Sequence, residues 1–136
     1  MTKTPSSDTR ETALLCVRYA LDKKAYDLLL LDIGAHTSLA DYFLICTGRS
    51  DTQVQAIAQS VDEHLSALGR RPRTVEGLGT GHWVLIDFGD VVVHVFLESV
   101  RAFYDLERLW ARATPVTLPE PYRSQARDLR LASNAR

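Results

Sequence analysis

Cysteine is scarce in this chain of 136 residues: Cys16 and Cys46 are the two it has, and they form no CxxC pair. That excludes a disulfide framework, and the usage is that of a reducing compartment. Histidine is sparse as well. His36, His64, His82 and His94 show neither HxH nor HxxxH spacing, so a zinc site would require distant strands to converge, and no metal is expected. Long apolar runs are missing too. None nears the roughly 18 to 20 residues of a membrane span, Leu28 to Leu31 being stopped by Asp32. Met1 to Glu11 lacks the apolar stretch of a signal peptide, and Asp8 and Glu11 count against an organellar transit peptide. The expectation is a cytoplasmic protein with no membrane partner.

Neither sign of charge dominates. Sixteen Lys and Arg oppose seventeen Asp and Glu, and the net −1 excludes bulk attraction to nucleic acid or to an anionic membrane. The balance is nevertheless uneven along the chain. Residues 1–10 sum to +1, residues 11–112 hold ten bases and fourteen acids, and residues 113–136 sum to +2. With 46% hydrophobic and 24% charged residues, the chain can build one domain with a true core and is too short for two.

What is present is regular patterning. Asp8 with Glu11 reads as a capping box before Leu14, Val17 and Leu21, which predicts a helix over 9–23. Leu28 to Ile33 and Tyr42 to Thr47 read as strands covered on both faces. Ser50 with Gln53 is a second capping box, and the stripe Val54, Ile57, Ala58, Val61, Leu65, Leu68 ends at Gly69, a natural position for a left-handed helix stop. Arg73 to Glu76 is a short strand candidate. His82 to Leu97 reads as a hairpin turning at Gly89-Asp90, with Leu85 opposite His94 and Trp83 opposite Phe96. One hairpin face, Val84, Ile86, Phe88, Val91, Val93, Val95 and Leu97, is apolar and belongs to the core. The other, Trp83, Leu85, Asp87, Val92, His94 and Phe96, is mixed and reads as a surface where a partner docks. A last helix is predicted over 99–112, closed by Pro115. Residues 1–10 and 113–136 read as mobile ends, the latter basic. The order α-β-β-α-β-β-β-α gives a single α/β domain over 11–112, a mixed sheet of about five strands flanked by helices.

Short motifs that look chemical carry little. Asp87-Phe88-Gly89 has the letters of the kinase magnesium motif, but the Gly-rich loop, the catalytic HRD segment and the strand lysine are missing. Gly77, Gly79 and Gly81 precede a strand rather than a helix, which suits a flexible or tightly turning loop better than a phosphate loop. Gly48-Arg49-Ser50-Asp51 does lie between strand and helix, where nucleotidyltransferases bind phosphates. The paired strand carboxylates that would hold metals there are absent, because Asp87 and Asp90 flank a turn. No catalytic set can be nominated. Residues 75–110 carry six acids against Arg101 and Arg108, interleaved with Trp83, Phe96, Phe103 and Tyr104, which reads either as a solvated surface or as an interface for a basic protein.

Several longer blocks are recognisable. Asp41-Tyr42-Phe43-Leu44-Ile45-Cys46-Thr47-Gly48, with Ser50, Gln53 and Ala56-Ile57-Ala58, resembles the first signature of the ribosomal silencing factor (RsfS) family, also called Iojap. Glu76-Gly77, Trp83 to Asp87, Gly89 to Phe96 and Phe103 to Trp110 resemble the second. The resemblance spans residues 11–112, with departures at Gly79-Thr80-Gly81-His82 and at Leu97. It implies a nucleotidyltransferase-like topology without the catalytic set, and a translational repressor with no enzymatic activity and no cofactor. Such a protein binds the large ribosomal subunit through ribosomal protein L-fourteen and blocks joining of the small subunit in starvation or stationary phase. It also implies a homodimer when free and no sequence-specific binding of nucleic acid. Carried onto this chain, the partner-binding residues are Trp83, Leu85, Asp87, Asp90, His94, Tyr104 and Asp105. A small nucleotidyltransferase and a dimeric adaptor for another basic protein stand as alternatives.

Overall fold

A computed structural model describes residues 7–126. Helix α1 (Ser7–Leu21) leads into strand β1 (Tyr26–Asp32), which pairs antiparallel with β2 (Tyr42–Gly48). Every residue of β2 is buried, as the unbroken apolar run required. Helix α2 (Asp51–Ala67) follows. Its cap forms as the sequence predicts: Ser50 Oγ accepts from the Gln53 N–H at 3.1 Å, and Gln53 Oε1 accepts from the Arg49 N–H at 2.7 Å. It ends at Gly69 (φ +81), with the Arg70 N–H reaching back to the Leu65 carbonyl at 2.8 Å.

Strands β3 (Thr74–Glu76), β4 (Trp83–Asp87) and β5 (Val91–Leu97) form an antiparallel meander, and β5 returns parallel to β2. The hairpin register is the one read from the sequence, Trp83 opposite Phe96 and Leu85 opposite His94, with the Phe88 N–H bonded to the Val91 carbonyl. Helices α1 and α2 cover one face of the sheet. The core there contains Val17, Leu44, Ile57, Val61, Val84 and Val93. Leu31, Ile33, Phe43, Ile45 and Phe96 build the second core on the opposite face.

Four expectations change. Helix α1 starts at Ser7, inside the stretch read as a mobile end, so Asp8 sits in its first turn instead of capping it. Asp8 and Glu11 both bind the Arg70 guanidinium, at 3.1 and 3.3 Å. Strand β1 begins two residues earlier than expected, across a bulge that puts Asp27 at φ +48. The last helix is two short ones, α3 (Glu98–Tyr104) and α4 (Leu106–Leu109), because Asp105 adopts the left-handed conformation (φ 47, ψ 53) and turns Leu106 and Trp110 down onto the second core. Just after 113 the chain is tied to the sheet as β6 (Thr114–Pro115) against β1, and Leu118 is buried against the first core; of the ends read as mobile, residues 1–6 and 127–136 lie outside the described residues. The described sheet therefore has six strands, in the order β3-β4-β5-β2-β1-β6.

Candidate functional site

The hairpin is aimed by the loop before it. Gly77 (φ +83) and Gly81 (φ +70) hold conformations that L side chains rarely adopt, and a Cβ on Gly77 would overlap the Trp83 carbonyl. Of the two readings the sequence left open, flexible or tightly turning, the loop is the second, and it fixes where β4 begins. Trp83, its first residue, lies 4.8 Å from the Phe96 ring and 5.0 Å from the Tyr104 ring, and its indole N–H donates to His94 Nδ1 at 3.2 Å. The aromatic row continues along the face through Phe43, 4.8 Å from His94, to Trp110, 5.1 Å from Phe43.

An indole N–H can only donate, so His94 Nδ1 must be the acceptor and its proton resides on Nε2. That Nε2 is buried without a partner among the described residues. With nothing charged to favour the imidazolium, burial pushes the His94 pKa down to about 4. The histidine is a neutral prop beneath Trp83.

Of the seven residues the resemblance assigned, Trp83, Leu85, His94 and Tyr104 share one face. Trp83 and Leu85 are half-buried and Tyr104 is exposed, with Phe103 beside it, 82% exposed. His94 and Phe96 depart from the expected open surface: α3 folds back over β5, Val100 and Leu106 pack there, and His94 keeps only 4% of its surface. Asp87 is half-buried and its carboxylate accepts from the Gly89 N–H at 2.7 Å, so it shapes the turn. Asp90 lies elsewhere. Its carboxylate accepts from Thr9 of α1, on the side of the helix pair, and it is not gathered with Trp83. Asp105 is exposed at the left-handed joint between α3 and α4. The sequence reading missed Phe43 and Trp110, although alternation along β2 places Phe43 on the same face as Ile45.

Arg101 holds this layer down. Its guanidinium bonds Glu107 at 3.2 Å, the Asp27 carbonyl at 2.5 Å and Thr47 Oγ1 at 2.7 Å, linking α3 to α4, β1 and β2. Its charge is spent inside the protein. The end of the sheet where a nucleotidyltransferase would bind phosphates is similarly filled: Tyr26 donates to Glu98, and Gln53 Nε2 donates to the carbonyls of Lys23 and Lys24. Ser50 lies two residues beyond the last residue of β2, whereas the Asp90 carbonyl bonds Asp41 just before its first. Seven strand residues put them about 20 Å apart. Ser50 and the two hairpin aspartates do not converge. Cys16 and Cys46 are both buried, and burial raises both thiols well above their ordinary range.

The family model described as "Ribosomal silencing factor during starvation" matches residues 6–136. A ribosomal silencing factor of Bacillus subtilis is 49% identical over 92 residues, covering 68% of this chain and 78% of that protein. One from Halalkalibacterium halodurans is 44% identical over 109 residues, covering 80% and 93%. A crystal structure of a protein from Chromobacterium violaceum superposes with a TM-score of 0.74 at 38% identity, covering 84% of this chain and 96% of that one.

Proposed function

The chain belongs to the ribosomal silencing factor family, and from that premise we propose that it represses translation by binding the large ribosomal subunit and excluding the small one. The contact runs through ribosomal protein L-fourteen, and the protein acts in the cytoplasm by volume, without catalysis or a cofactor. The observation that carries this reading is the ledge formed by Trp83, Leu85, Tyr104 and Phe103. Three of these are aromatic, Phe103 and Tyr104 are exposed, Asp105 follows Tyr104, and Asp87 lies two residues beyond Leu85 on β4. A rigid aromatic anchor beside acidic groups suits a basic protein surface. Exposed Phe103, at 82%, and Leu109, at 77%, also suit self-association, and we propose a homodimer for the free protein.

Trp83→Ala tests the placement. Its affinity for isolated large subunits should fall by about 2 kcal/mol or more, roughly thirtyfold, as for a hot-spot aromatic. Unchanged binding by a folded Trp83→Ala protein would move the interface elsewhere.

A further inference from the structure

The aromatic row has a charged cleft at its far end. His36 from the β1–β2 connection, Arg108 and Leu109 of α4, and Trp110 and Arg112 just beyond line a depression of about 380 Å³ that contains no acidic side chain. His36, Arg108 and Arg112 are exposed, and none makes a side-chain hydrogen bond or ion pair among the described residues. This sets them apart from Arg70 and Arg101, which are bound to carboxylates at 3.1 to 3.3 Å. Trp110 forms both the cleft wall and the end of the row Trp83, His94, Phe43, Trp110, so the cleft opens on the face proposed to meet the ribosome.

That face is electrically polarised. Asp87 and Glu76 lie at the β3–β4 edge, and the three bases lie across β5 and β2, beside β1. Three strand spacings separate the two ends, about 14 Å. A uniformly basic partner would fit the first end and be repelled at the second. We infer that the His36, Arg108, Arg112 cleft seats the phosphate backbone of ribosomal RNA while the Trp83 end meets protein. This rests on the proposed binding to the large subunit. The guanidiniums supply charge-assisted donors for phosphate oxygens, Trp110 supplies a flat wall, and the contact requires no particular base. Net charge concealed this cleft, because the acids of the same segment outnumber its bases.

The test places p-benzoylphenylalanine at Leu109, on the cleft rim, or at Leu85, in the full-length chain. Each protein is irradiated with purified large subunits after co-sedimentation. Leu109 should yield an adduct removed by ribonuclease, and Leu85 one removed by protease alone. In parallel, an Arg108→Gln, Arg112→Gln protein should bind about tenfold more weakly near physiological salt. Its slope of log affinity against log salt should shrink by about 1.5, two phosphate contacts' worth. A protein adduct at Leu109, or none, or an unchanged salt slope, overturns the inference and leaves subunit binding intact. Failure of the unsubstituted chain to sediment with large subunits overturns both.

Discussion

His94 is where chemistry and packing meet most tightly. Its imidazole titrates near 6.5 in an unfolded chain and near 4 in the fold, because burial disfavours the charged form. Above pH 6.5 it is neutral in both states and stability does not depend on it. As the pH falls from 6.5 to about 4, the unfolded chain takes up a proton that the folded one refuses, and stability is lost over that window, about 3 kcal/mol in all. In NMR titrations the His94 ring resonances should stay still between pH 7.5 and 5.5. A His94 midpoint near 6.5 would show that the ring is solvated and that Trp83 does not rest on a neutral acceptor. Hairpin parity alone put His94 opposite Leu85 and beneath the tryptophan side. It could not show that the ring is covered, because Phe43, 4.8 Å away, comes from β2, whose place beside β5 is a pairing between strands distant in sequence.

The Gly77–Gly81 turn and the broken α3–α4 pair set the shape of the ledge. Gly77→Ala would place a methyl group against the Trp83 carbonyl at a left-handed backbone position. It should cost about 2 kcal/mol or more in urea unfolding and weaken subunit binding in a protein that still folds. Gly79→Ala, where nothing lies within 4 Å of the new atom, should change either by far less. Elements with strong local signals are legible in the sequence: the α2 cap at Ser50, its stop at Gly69, and the β4–β5 register. The failures are tertiary. Asp8 and Glu11 looked like a capping box, and in the fold they serve Arg70, 59 residues from Glu11 in sequence. Thr114–Pro115 has no strand signal of its own and joins the sheet because the edge of β1 offers unpaired groups, with the Val116 N–H reaching the Leu30 carbonyl at 2.8 Å.

Taken whole, the molecule is a sheet with one face closed by α1 and α2 and the other closed only in part, leaving aromatics at its opening and opposite charges at its two ends. Binding to large subunits should therefore weaken steadily as salt rises from 50 to 300 mM, a range in which screening shortens from more than 10 Å to less. An aromatic contact alone would be insensitive to it. The most decisive observation is subunit joining itself. Purified large subunits are incubated with the protein, small subunits are added, and the mixture is resolved on a sucrose gradient. The fraction of joined ribosomes should fall as the protein increases, with the protein found only in the large-subunit fraction and Trp83→Ala restoring joining. Protein travelling with joined ribosomes at undiminished yield would contradict exclusion of the small subunit.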